Sequence, residues 1–163
     1  MDKEYLYLPG DRDGVSDPIE LKGGTAALLY IKGGRPTQQD ALWAGTHDGK
    51  LVICSSDGTS FPAGGEKMAE YVVEYGSEYA RAQIKETGTV DVLDMQNHIR
   101  ESISQYHPLH TGRATSLCMV IDAPTVHAHR VGDPDTRIND ESFPHPALVP
   151  ETKGSEAFRT WWS

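Results

Sequence analysis

The stretch ALWAGTHDGKLVICS, residues 41–55, contains two apolar runs on either side of the dipeptide Asp48-Gly49. An Asp-Gly pair between apolar runs is a strong local signal for a β-hairpin. We therefore predict that the two runs form adjacent antiparallel strands. Asp40 opens the first strand and Asp57 follows the second. The hairpin should bring both carboxylates to the same end of the sheet.

The segments around the hairpin supply further strands. Residues 4–8 alternate weakly and are expected to form an edge strand, and the apolar run at 25–31 is expected to form a short buried strand. Residues 9–24, which Pro and Gly punctuate, are predicted to be a loop. Strand character returns in residues 114–121 and 125–131.

A helical period separates the two groups of strands. Apolar residues recur at steps of three and four from Glu66 until Gly88, which predicts one amphipathic helix. Thr89 or Asp91 can cap a second helix, which Pro108 closes. The predicted buried stripes are Met68, Val72, Tyr75, Tyr79 and Ala82 on the first helix and Val92, Met95, Ile99, Ile103 and Tyr106 on the second. Consecutive helices with a short connection pack most readily as an antiparallel pair.

This order of strands, two helices and strands predicts a single α+β domain over residues 1–163, with an antiparallel β core and the helix pair on one face. Residues 132–154 lack a sustained period and are expected to be irregular. Residues 155–163 form an aromatic tail that ends near Trp161 and Trp162.

Composition limits the classes of partner. A net charge of −9 disfavours nucleic acid and anionic membrane surfaces. The N-terminus does not have the pattern of a signal peptide, and no stretch approaches the roughly 20 apolar residues of a membrane span. Cys54 and Cys118 lie in apolar runs, which indicates two buried free thiols and a reducing cytoplasm, with a disulfide as the alternative.

The paired carboxylates suggest a metal site. Hard oxygen ligands such as Asp40 and Asp57 are those that magnesium or manganese prefers. Gly58 would let the backbone turn sharply and expose a carbonyl as a further ligand. Arg35, five residues before Asp40, carries a planar donor fork suited to phosphate. The structural alternative is that Asp-Gly only forms a common turn.

Other candidate sites in the sequence are weaker. His127 and His129 share one face of a predicted strand, but a zinc site needs a third ligand, and an exposed or hydrogen-bonded pair is the simpler interpretation. The sequence contains no GxSxG elbow, Walker A loop or GxGxxG fingerprint.

Four short motifs occur in order across residues 25–135, with the predicted helix pair between the second and the third. The motifs are Arg-x-x-x-Gln-Asp-Ala at 35–41, Ser-Asp-Gly at 56–58 followed by Gly-Gly at 64–65, Gly-Arg-Ala-Thr at 112–115, and His-Arg-Val-Gly-Asp at 129–133. Their order and spacing resemble those of the type-2C metal-dependent protein phosphatases, the PPM family.

The resemblance implies a shortened version of the family's αββα sandwich. It also implies two manganese or magnesium ions held by Asp40, Asp57, the Gly58 carbonyl and Asp133, with Arg35 gripping the phosphate. The reaction would be hydrolysis of phosphoserine or phosphothreonine by metal-activated water, without a covalent intermediate.

The chain departs from the family pattern at several positions. Gln39 stands where many members have Glu, and Thr59 where eukaryotic members often have His; both are expected beside the ions rather than as ligands. The family takes two further carboxylates from an Asp-Gly and an Asp-Asn in its last third, and neither dipeptide occurs after residue 133. An active chain would need ligands from Asp133, Asp135 or Asp140, or from a second subunit.

Three functions remain open from the sequence. The first is an active metal-dependent protein phosphatase. The second is a catalytically impaired pseudophosphatase that acts as a protein-binding or regulatory module, and the third is a structural protein without metal. The expected partner is a phosphoprotein or a regulatory protein. A homodimer or a complex would cover the sheet that a shortened sandwich leaves open.

Overall fold

The structure, a computed structural model, describes residues 1–10, 13–31, 37–60 and 63–132, and the backbone alone of residues 137–138 and 141–142. In chain order its elements are β1 (Lys3–Tyr7), β2 (Gly14–Val15), β3 (Ile19–Leu21), β4 (Gly24–Ala26), β5 (Leu29–Tyr30), β6 (Asp40–His47), β7 (Lys50–Asp57), α1 (Gly65–Thr87), α2 (Val92–Tyr106), β8 (Ser116–Asp122), β9 (Thr125–Val131), β10 (Arg137–Ile138) and β11 (Glu141–Ser142). Within these ranges, no helix is long and apolar enough to cross a membrane.

A five-stranded antiparallel sheet in the order β1-β6-β7-β8-β9 forms the centre of the fold. The predicted hairpin is confirmed, since β6 and β7 pair along their whole length. Its turn residues Asp48 (φ 49°) and Gly49 (φ 71°) both have positive φ, as the twist-matched type I′ turn requires. The edge strand near residues 4–8 and the strands near 114–121 and 125–131 are also confirmed.

Both predicted helices are present, and their ends follow local signals. Gly64 (φ 102°) precedes α1, and Gly88 (φ 74°) ends it in the left-handed conformation that glycine adopts without strain. Asp91 caps α2, because its carboxylate accepts the N–H groups of Leu93 (2.8 Å) and Asp94 (3.0 Å).

The two helices pack against each other as an antiparallel pair. Ring contacts join Tyr75 to Tyr106 and Tyr79 to His98. Later residues of α1 thus contact earlier residues of α2, as in an antiparallel pair. The prediction of burial is wrong at the last position of each helix stripe, because Ala82 is exposed and Tyr106 is 61% exposed.

Hydrophobic clusters cover both faces of the sheet, because neighbouring strand residues point to opposite sides. Trp43 belongs to the cluster beneath the helices, and Ala44 belongs to the cluster on the other face. Helix residues such as Met95, Ile99 and Ile103 are fully buried, and burial of each such side chain contributes about 1.5–3 kcal/mol. The opposite face is covered by Ile19, Leu21, Ala26 and Leu28.

Two predicted irregular segments contain strands. The loop predicted at residues 9–24 holds β2, β3 and the start of β4, and the single buried strand predicted at 25–31 is divided between β4 and β5. Each is two or three residues long: β3 and β4 pair with each other across a short turn, and β2 pairs with the more distant β5, with Val15 opposite Leu29. The irregular segment predicted at 132–154 contains the pair β10–β11, and the tail at 155–163 lies outside the described residues.

The two cysteines are free and buried, as predicted, and they lie directly opposite each other on β7 and β8. Hydrogen bonding to the Cys118 thiol, together with burial, raises the pKa of Cys54. Both buried side chains pack as small apolar core groups.

Replacing the helix cap Asp91 by Ala should lower the free energy of unfolding by about 1 kcal/mol, because two N–H groups of the first turn lose their acceptor. Denaturant unfolding measures this loss. Asp91→Asn is the control, since an Asn side chain caps as well as Asp. Equal losses in the two variants would show that charge, and not capping, is responsible.

Candidate metal centre

Asp40 and Asp57 are directly opposite each other in the β6–β7 ladder, at its open end. Directly opposed residues in an antiparallel pair point to the same face and have Cβ atoms about 4.5–5.5 Å apart. The prediction that Asp40 and Asp57 lie at the same end of the sheet is therefore confirmed.

The pair lies at the rim of the sheet and is accessible. Alternation along β6 puts Ala41 and Trp43 under the helices, so Asp40 belongs to the opposite face. Asp40 is half-buried and Asp57 is exposed. Magnesium in protein sites keeps several of its waters, so a position at the rim of a sheet is compatible with such an ion.

Gly58 continues the ladder by one step beyond the carboxylates. Its N–H donates to the carbonyl of Gln39 at 3.1 Å, and it bridges to Ala114 on the other side. The prediction that Gly58 allows a sharp turn is wrong; a glycine is needed here because the space beside its Cα is filled by backbone atoms. The φ of Gly58 is not positive, but a Cβ would lie 2.5 Å from the carbonyl of Gly65 and 2.6 Å from that of Gln39.

The residues expected beside the ions have protein partners. The amide oxygen of Gln39 accepts the Ser60 hydroxyl at 2.7 Å. The Thr59 hydroxyl donates to the carbonyl of Arg113 at 3.1 Å, and the Thr59 N–H donates to the same oxygen at 2.9 Å. The side chains of Gln39 and Thr59 thus hydrogen-bond within the protein and connect the loop after β7 to the residues before β6 and β8.

Sequence reasoning missed two residues that hold the carboxylate pair. The Tyr30 hydroxyl donates to the carbonyl of Asp40 at 2.7 Å. Thr115 hydrogen-bonds to the backbone of Asp57 through its hydroxyl and its N–H. Tyr30 is ten residues from its partner and Thr115 is 58 residues from its partner, so no local pattern marks either contact.

Two of the predicted site residues, Arg35 and Asp133, lie outside the described residues. Within the part of the chain that the structure describes, no group of three or more His, Cys, Asp or Glu side chains converges in a way that could hold a metal ion. Asp40 and Asp57 carry the carboxylate oxygens that divalent ions prefer. Among the described residues they provide two carboxylates for such an ion.

The histidines of β9 differ in environment. His127 is exposed, whereas His129 lies opposite Cys118 and its Nδ1 is buried without a hydrogen-bond partner among the described residues. Burial lowers the pKa of His129, and the negative charge of Asp91 partly opposes this effect.

This lowered pKa predicts acid sensitivity. The unfolded chain takes up a proton at the ordinary His129 pKa of 6.5, before the folded chain does, so the free energy of unfolding should fall as pH drops below that value. Stability measured from pH 7 to pH 5 should depend less on pH in His129→Gln. His127→Gln is the matched control, and a flatter profile in that variant instead would contradict the assignment.

Comparison with known protein families, with curated proteins and with solved structures finds no match to this chain.

Proposed function

We propose that this protein is a metal-dependent phosphatase-like domain related to the PPM family, acting on phosphoserine or phosphothreonine. One observation carries the proposal: Asp40 and Asp57 are opposed at the end of the β6–β7 ladder, and Gly58 packs against the start of α1 immediately beyond them. This placement supports the proposal, because the resemblance assigns both carboxylates and the Gly58 carbonyl to the metal centre.

The order of elements supports the same proposal. The helix pair is inserted between β7 and β8 and covers one face of the antiparallel sheet. Residues of β3 and β4 cover the other face. A shortened αββα sandwich is the architecture we propose on this basis.

Each site residue has a proposed role. Asp40 and Asp57 would bind the ions through their carboxylates, with help from the Gly58 carbonyl and from Asp133, and Arg35 would orient the phosphate. Manganese or magnesium bound there would supply the Lewis acidity that activates water for attack on phosphorus. The residues of this chain contribute binding and orientation, and Ser60 and Tyr30 hold the adjoining backbone and amide in place.

A second candidate is a pseudophosphatase that binds a phosphoprotein or a regulatory protein without turnover. The number of carboxylates at the described site favours it, since two carboxylates leave most of the coordination shell of magnesium to water. Both candidates fit a cytoplasmic setting, which the two free buried thiols support.

Hydrolysis of p-nitrophenyl phosphate, with and without manganese, tests the proposal. Manganese-dependent turnover supports the enzyme. Manganese binding without turnover, measured by calorimetry on the folded protein, supports the pseudophosphatase. A folded protein that neither turns over nor binds manganese would overturn the metal-dependent proposal.

A further inference from the structure

Thr115 lies immediately before β8 and grips the backbone of Asp57. Its N–H donates to the carbonyl oxygen of Asp57 at 2.8 Å, and its Oγ1 accepts the N–H of Asp57 at 3.1 Å. Both polar backbone atoms of Asp57 are therefore hydrogen-bonded to one residue. Because Thr115 is only 9% exposed, these bonds are shielded from water.

Contacts of the residues on either side of Asp57 add to these two hydrogen bonds. The Ser56 hydroxyl donates to the carbonyl of Thr115 at 2.6 Å, and Gly58 bridges to Ala114. Ser56, Asp57 and Gly58 are thus each hydrogen-bonded or paired to Ala114 or Thr115, which directly precede β8. The exposed carboxylate of Asp57 is positioned by its backbone, which this segment holds.

The methyl group of Thr115 contacts Gly132, the residue that follows β9. A Cβ at Gly132 would lie 2.8 Å from Cγ2 of Thr115, so the two residues are in close contact. Gly132 (φ 88°) directly precedes Asp133 in the sequence. The side chain of Thr115 therefore contacts the backbone of Asp57 through its hydroxyl and Gly132 through its methyl group.

We propose that Thr115 is a positioning residue of the metal centre, which holds Asp57 in place through its hydroxyl. This inference rests on the proposed metal-binding function and goes beyond it, because Thr115 itself contacts neither ion nor substrate. The role requires a hydroxyl, so Ser should replace Thr115 and the isosteric Val should not.

The experiment compares Thr115→Val, Thr115→Ser and the matched control Thr46→Val in the full chain. Thr46 is similarly buried (8% exposed), and its hydroxyl also accepts a backbone N–H, that of Lys3, at 3.2 Å. It lies on β6 near the turn, at the end of the hairpin away from the carboxylates. Both variants lose a buried hydroxyl that accepts a backbone N–H, and the Thr46 hydroxyl also donates to the carbonyl of Lys3 at 3.4 Å.

Two measurements separate positioning from general stability. Calorimetric titration with manganese should show affinity about 10-fold or more weaker in Thr115→Val, as for loss of other groups that orient metal ligands, and near wild type in the other two variants. Hydrogen exchange of the Asp57 amide without metal should be about 10-fold faster only in Thr115→Val, since that N–H loses its acceptor.

Each outcome decides a different claim. Unchanged exchange at Asp57 in Thr115→Val, or equal loss of manganese affinity in Thr46→Val, would overturn the positioning role. A wild-type chain that binds no manganese would overturn the proposed function instead. The exchange measurement, which needs no metal, keeps the two failures distinct.

Discussion

Replacing Asp57 by Asn is expected to lower manganese-dependent hydrolysis of p-nitrophenyl phosphate by more than about 100-fold, because loss of even an outer partner of a metal ligand typically costs 10–100-fold. The amide is nearly isosteric with the carboxylate but carries no charge. The backbone bonds of Asp57 to Thr115 do not involve the side chain, so the fold should be retained. If the wild-type chain has no turnover, manganese affinity measured by calorimetry takes the place of rate.

Asp48→Asn is the matched control for this variant. It removes the same charge from the same hairpin, at the turn end, where Asp48 is exposed. Its positive φ of 49° is a conformation that Asn adopts readily. Asp40→Asn should reproduce the Asp57→Asn result, because the two carboxylates are opposed. Full manganese affinity in both site variants, or an equal loss in Asp48→Asn, would refute a site at this end.

The hairpin and the carboxylate pair could be predicted because the signals for them are local. Asp48-Gly49 specifies the turn, and the turn specifies the register of the strands. Once the register is known, Asp40 must face Asp57. The N-cap of α2 and the end of α1 follow in the same way from Asp91 and Gly88.

The contacts that hold the pair in place could not be predicted, because they join residues far apart in the sequence. Thr115 reaches Asp57 only after the helix pair has returned the chain to the sheet. The short strand β2 contains two residues, which is too few to give a period, and it forms because β5 pairs with it. Tertiary pairing, rather than local propensity, determines such segments.

Gly58→Ala is expected to disrupt both the fold and the site. The new methyl carbon would lie 2.5 Å from the carbonyl carbon and oxygen of Gly65 and 2.6 Å from the carbonyl oxygen of Gln39. These are backbone atoms, which cannot move aside as a flexible side chain can. Overpacking of this kind costs about 1–3 kcal/mol of unfolding free energy. Thermal unfolding should show a loss of about 2–4 °C per kcal/mol in a chain of this size.

Gly24→Ala controls for the general effect of replacing a strand glycine by Ala. Gly24 lies in β4, its φ is not positive, and a Cβ there meets nothing within 4 Å. This variant should unfold near the wild-type temperature. Equal melting temperatures for the two variants would show that the contact of Gly58 with Gly65 is looser than the structure indicates.

The same substitution should weaken manganese binding at temperatures where the protein is still folded. Gln39 precedes Asp40, Gly58 follows Asp57, and the 3.1 Å bond between them is the last rung of the hairpin before the loops diverge. A methyl group forced against the Gln39 carbonyl lengthens this rung and moves the two carboxylates apart. Metal affinity should therefore fall more in Gly58→Ala than in Asp91→Ala, which loses stability but leaves the rung intact. Equal manganese affinities in these two variants would show that the packing of Gly58 does not affect metal binding at the site.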